Sequence, residues 1–154
     1  MDGKDFLRVV KEAFSPFLQA LGFEEDVPSI SGRFYRASFS STHNVISISF
    51  EPGDSALFIM VFSRENGELS DIDDRSRTPR LVDLNTRYLH LITNDELLNA
   101  DAKFASIRVN DKDELFLLKA AKELSLVIPK HLQSDASKPD KTSSAVAKPV
   151  KDSR

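Results

Sequence analysis

Three acids and three bases crowd into the stretch Ser70-Asp71-Ile72-Asp73-Asp74-Arg75-Ser76-Arg77-Thr78-Pro79-Arg80-Leu81. Carboxylates spaced one or two residues apart are the raw material of a metal loop, and arginines among them can grip a partner's carboxylates through paired hydrogen bonds. A calcium loop counted from Asp71 fails, because Ser76 stands where the sharp turn needs glycine and Val82 where a bidentate Glu must close the loop. Magnesium needs only one or two carboxylates. Here, however, Arg75, Arg77 and Arg80 balance Asp71, Asp73 and Asp74 and flatten the negative potential that would concentrate a cation. No metal is assigned. The stretch reads first as the approach to a helix opened by Thr78-Pro79, and second as a docking loop in which Asp71, Asp73, Asp74, Arg75 and Arg77 meet a protein partner.

Other chemistry has less to stand on. The three histidines, His43, His90 and His131, form no HxH or HExxH pattern, and the chain has no cysteine, so thiolate nucleophiles, disulfides and Cys-based metal sites are excluded. A hydrolase would have to gather Asp73, His43 or His90, and Arg80 from separate parts of the chain, without a GxSxG elbow. Glu51 and Asp54 flank a turn and offer a carboxylate pair, a common arrangement at turn ends. No phosphate loop or GxGxxG motif occurs, and five glycines in 154 residues leave no loop rich enough to cradle phosphate, so no cofactor is assigned. The net charge is −3, of which residues 134–154 carry +2, leaving −5 on the remainder. An acidic body without a basic stripe speaks against nucleic acid.

The elements that must position these groups follow from periodicity. Phe6, Val10, Ala13, Phe17 and Leu21 recur at helical spacing behind an Asp2 cap, and Gly22 suits a left-handed stop. Pro16 predicts a kink there, or a restart capped by Ser15. Strands are predicted over Arg33–Ser40, Val45–Glu51 and Leu57–Ser63, the last two joined by a type II turn with Pro52 and Gly53 at its centre. The third strand, LFIMVFS, is apolar on both faces, so one face is covered by the core and the other by neighbours or by a partner. Its Leu57 and Ile59, beside Val45 and Ser47, are read as the partner's apolar anchor. Helical spacing continues at Leu81, Leu84, Tyr88 and Leu91, then a capped turn at Asn94-Asp95-Glu96 and a buried helix from about Asp111, disturbed near its end by Pro129. The segment Phe104–Val109 is assigned to an added strand or an irregular connection.

Together these predict one α+β domain over residues 1–133, in two layers: an N-terminal helix, an antiparallel meander of three or four strands, and C-terminal helices packed on the sheet. Residues 134–154, rich in Ser, Lys and Pro and lacking aromatics, read as a disordered tail. The N-terminus has no uninterrupted apolar stretch of the kind a signal peptide needs, and no run is long enough to span a bilayer, so a cytoplasmic protein without membrane contact is expected.

The order of a helix ending in Leu21-Gly22-Phe23, then Tyr35–Phe39, Val45–Glu51 and Leu57–Phe62, resembles small bacterial immunity proteins that neutralise polymorphic or contact-dependent growth inhibition toxins; the resemblance spans about residues 3–92. It implies a cytoplasmic, non-enzymatic inhibitor that occludes a cognate toxin domain, and the acidic body would suit a basic nuclease toxin. The expected function is therefore toxin neutralisation by binding. The alternatives are the small hydrolase above and a structural protein that self-associates through the third strand.

Overall fold

The structure, a computed structural model, describes residues 1–137. Asp2 accepts the amide of Asp5 at 2.8 Å and opens α1, Gly3–Val9. The expected break at Pro16 takes another form. The hydrogen-bond ladder widens into a π turn over Val10–Phe14, with the Ser15 amide reaching back to the Val10 carbonyl, before α2 resumes over Ser15–Ala20. A wide turn tolerates proline because it relieves the crowding that a regular turn would force on the carbonyl of Glu12. Ser15 is not a cap; its hydroxyl instead donates to Glu25 at 3.1 Å. At the far end Gly22, with φ of 93°, lets the amides of Gly22 and Phe23 close onto Gln19 and Leu18, folding Phe23 into the core.

The sheet is antiparallel and six-stranded, larger than the expected meander: β1 Glu24–Glu25, β2 Ser29–Ile30, β3 Tyr35–Ser40, β4 Asn44–Glu51, β5 Ala56–Glu65 and β6 Glu68–Leu69. Their order is β1-β3-β4-β5-β6, with β2 also pairing β3. β6 exists because Asn66 and Gly67 both take positive φ, 52° and 81°, in a two-residue hairpin between Glu65 and Glu68. The β4–β5 connection is not the expected type II turn. It is a four-residue loop in which Ser55 rather than Gly53 takes positive φ, at 49°.

Register builds the core. Tyr35, Phe50 and Leu57 form one cross-strand row, Ala37, Ile48 and Ile59 the next, and Phe39, Ile46 and Val61 the third. This lattice packs against Phe6, Val10, Phe14 and Leu18 of the N-terminal segment and against the C-terminal helices.

Those helices are α3 Leu81–Tyr88, α4 Asn94–Phe104 and α5 Lys112–Ser137, with a single 3-10 turn at Leu89–Leu91. α3 begins two residues after the predicted Thr78-Pro79 start, because Pro79 is held against β5: its carbonyl accepts the Val61 amide at 2.9 Å, and Arg80 bridges Met60. The expected turn at Asn94 is a full helix, capped by Thr93, whose hydroxyl accepts the Glu96 amide while Glu96 returns to the Thr93 amide. Phe104 closes α4, and residues 107–110 are an irregular connection rather than a strand. Asp111 caps α5, which runs through Pro129 for about 39 Å at 1.5 Å per residue. Helix therefore extends over 134–137, which sequence placed in the tail; the rest of that segment lies outside the described residues. Among the described residues no helix is long and apolar enough to cross a membrane.

Candidate functional site

The 70–81 loop is locked at its base by hydroxyls. The Ser63 amide donates to Ser70 Oγ at 3.0 Å, Ser70 Oγ lies 2.6 Å from Thr78 Oγ1, and Thr78 Oγ1 donates to the Asp71 carbonyl at 2.7 Å. A hydroxyl carries one proton. Thr78 spends its own on the Asp71 carbonyl, and the Ser70 hydroxyl lies within reach of two acceptors, Thr78 Oγ1 and, at 3.3 Å, the Arg77 carbonyl. Both hydroxyl residues are buried.

The acids are used locally. Asp71 accepts the Asp73 amide at 3.0 Å, and Asp74 accepts the Ser76 amide and hydroxyl and the Arg77 amide. The Ser76 hydroxyl, with the two amides and the nearby Arg77 charge adding to it, holds the Asp74 carboxyl below its usual value.

The arginines find their hydrogen-bond and ion-pair partners away from these acids. Arg75 grips Asp83 of α3 with two bonds, 3.0 and 2.7 Å, Arg77 lies 3.4 Å from Glu65, and Arg80 donates to the Thr78 carbonyl. At the tip Asp71, Ile72 and Asp73 are all exposed. Among the described residues no cluster of three or more His, Asp and Glu converges as a metal would require.

Asp83 carries a pH consequence. Its carboxyl is held below the usual carboxylate range, first by the hydrogen bond from Arg75, then by the Arg80 amide and the charges of Arg75 and Arg87. A depressed folded-state pKa contributes stability that is fully present above the unfolded value, about 3.9, and drains away as pH falls through the folded one. Urea unfolding of wild type and Asp83→Asn should therefore differ most at pH 7 and converge only in acid, at a pH below the folded-state value. A gap of equal size at both pH values would mean that the Arg75–Asp83 pair does not couple to folding.

Leu57 and Ile59 do not form the expected anchor. The register sets Ile59 opposite Ile48 in the core, 3% exposed, and Leu57 on the same inward face. Val45 and Ser47, which sequence placed beside them, point the other way, because they pair with Phe62 and Met60. The outward apolar residues of β5 are Phe58, 45% exposed, and the half-buried Met60 and Phe62.

The hydrolase set is dispersed by element. His43 lies exposed in the β3–β4 turn, His90 is exposed on the 3-10 turn, Asp73 is at the loop tip and Arg80 caps α3. One surface depression is lined by Gly32, Arg33, Phe34, Glu51, Gly53 and Asp54, and another by Phe104, Leu115, Leu118 and Lys119 with their neighbours; none of the four proposed catalytic residues lines either. Glu51 and Asp54 line the first of these depressions together with Arg33.

Two buried polar ties escaped sequence reasoning. Arg8 of α1 forms an ion pair with the buried Glu114 of α5, and also donates to the Arg108 carbonyl at 2.9 Å. His131 of α5, buried, has Nδ1 3.4 Å from the Tyr88 hydroxyl and Nε2 3.4 Å from Asp135. Only the i,i+4 spacing of His131 and Asp135 gave a local signal for either. Comparison with known protein families, with curated proteins and with solved structures finds no match for the chain.

Proposed function

We propose that this protein works in the cytoplasm by stoichiometric binding, neutralising a protein toxin by occluding it. The observation that carries this reading is Ile72, 48% exposed, held between Asp71 and Asp73 on a loop whose base is fixed by buried hydroxyls. An apolar knob flanked by charge is a docking element: the side chain supplies affinity by leaving water, and the carboxylates fix orientation and speed encounter. Leu69, equally exposed at the end of β6, lies next to the loop's anchor Ser70. Preorganisation keeps the entropic cost of docking low. Within the loop the roles divide, with Asp71, Ile72 and Asp73 meeting the partner while Asp74, Arg75 and Arg77 hold the tip in place.

The test is co-expression with products of adjacent genes, scored by relief of growth arrest and by calorimetric titration of the purified pair. A 1:1 complex is expected, and Ile72→Glu or Asp73→Lys should weaken it by about 10- to 100-fold with folding intact. Growth arrest unrelieved by the wild-type chain, or a complex indifferent to both substitutions, would remove the loop tip and the neutralising role with it.

A further inference from the structure

The β5–β6 hairpin turns on Asn66-Gly67, where both residues take positive φ and both are exposed, as are Glu65, Glu68 and Leu69 around them. Among the described residues no hydrogen bond engages the Asn66 side chain or the Gly67 amide, because the ladder between the strands closes at Glu65 and Glu68 and skips the turn. An amide nitrogen with no Cβ beside it and no acceptor holding its proton is open to act on the side-chain carbonyl one residue before it.

We propose that Asn66 is a site of spontaneous covalent change, converted by water to aspartate and isoaspartate. Hydroxide removes the Gly67 amide proton. The nitrogen attacks Asn66 Cγ, forming the N–Cγ bond of a five-membered succinimide, and Nδ2 leaves as ammonia with a proton taken from water. Water then adds to one of the two ring carbonyls and breaks its bond to the nitrogen, which takes a proton back. Opening at Cγ gives aspartate; opening at the backbone carbonyl gives isoaspartate, whose chain runs through the side-chain carbon. The sum is amide plus water to acid plus ammonia, with nothing oxidised or reduced.

The other five asparagines are shielded from this reaction. The amide after Asn44 lies inside the central strand β4, and those after Asn85 and Asn99 lie inside α3 and α4. Asn94 and Asn110 precede aspartates, whose side chains crowd the nitrogen and whose charge opposes loss of its proton. Ring closure at Asn66 carries it out of the left-handed conformation and opens the hairpin. β6 is an edge strand of two residues, so this opening sits at the low end of local unfolding costs.

The product bears on the loop that follows. Aspartate preserves the turn, since Asp-Gly suits positive φ as Asn-Gly does. Isoaspartate adds a backbone atom to the turn, so the pairings Glu65–Glu68 and Arg64–Leu69 cannot keep their register. Ser70 comes next, with its amide on the Ser63 carbonyl at 2.8 Å and its hydroxyl beside Thr78, so the base of the loop loosens with age. Each event also adds a negative charge between Glu65 and Glu68.

Incubation of the full chain at neutral and at alkaline pH, followed by peptide mapping in a mass spectrometer, tests this, with the free peptide of residues 63–70 as reference. Conversion at Asn66 should lead every other asparagine by at least about tenfold and should rise with hydroxide concentration. The isoaspartate form, purified by chromatography, should lose at least about tenfold in hydrogen-exchange protection at the Ser70 amide, while Asn66→Asp keeps it. An Asn66 that stays an amide while the free peptide converts, another asparagine reacting first, or equal Ser70 protection in the isoaspartate form and Asn66→Asp would each overturn the proposal.

Discussion

Arg8→Met lowers folding stability by about 3–5 kcal/mol, the cost of leaving a buried carboxylate without its counter-ion. Glu114 is fully buried, one of its carboxylate oxygens has no hydrogen-bond partner, and beyond Arg8 its other oxygen receives only the Asn110 amide at 3.3 Å. The penalty comes from desolvating charge rather than from losing a favourable contact. The double variant Arg8→Met with Glu114→Leu should therefore regain most of the loss, since removing both ions also removes the desolvation cost. Urea unfolding of the four members of this cycle measures it. A double variant as unstable as Arg8→Met alone would show that the ion pair contributes directly, through attraction exceeding its desolvation cost. The Arg8–Arg108 bond is lost in both variants and so cancels in that comparison.

Phe39→Ala should cost a similar amount, about 3–5 kcal/mol, from lost transfer energy and the cavity left in a lattice that cannot collapse. Phe39 is wholly buried in the row with Ile46 and Val61, beneath the helices. Phe58→Ala supplies the contrast. It makes the same chemical change on the outward face, where nearly half the residue is exposed, and should cost under about 1 kcal/mol. Denaturant midpoints of the two variants decide which face of the sheet is core. Equal losses would contradict the register that sends Ile59 inward and Phe58 outward.

How much of this was written locally can be judged element by element. Asp2 as a cap, Gly22 as a stop and the alternation of Tyr35, Ala37 and Phe39 are properties of a few neighbouring residues, and the structure agrees with each. The π turn is different. Proline forbids the regular ladder, yet whether the chain kinks, restarts or widens depends on what packs against it, here Phe6, Val10 and Phe14 held together in one core. Similarly, Thr78-Pro79 has the composition of a helix start, but the edge of β5 claims the Pro79 carbonyl and delays α3 to Leu81. In the 70–81 loop the residue types were visible and their use was not. Arg75 finds Asp83 of α3, eight residues on, rather than the aspartates beside it in sequence, a choice that the fold of the loop onto α3 makes.

The division follows from range. By itself the sequence determined the α+β order, the inward faces of β3 and β4, the caps, and a loop dense in opposed charge, since periodicity and capping act over a few residues. Only tertiary structure decided which side of LFIMVFS is buried. With both faces apolar, its own pattern is silent, and the answer comes from pairing to β4, whose inward Ile46, Ile48 and Phe50 carry Val61, Ile59 and Leu57 in with them. The same holds for Arg8 and Glu114, 106 residues apart, which meet only because α1 and α5 pack side by side over that sheet.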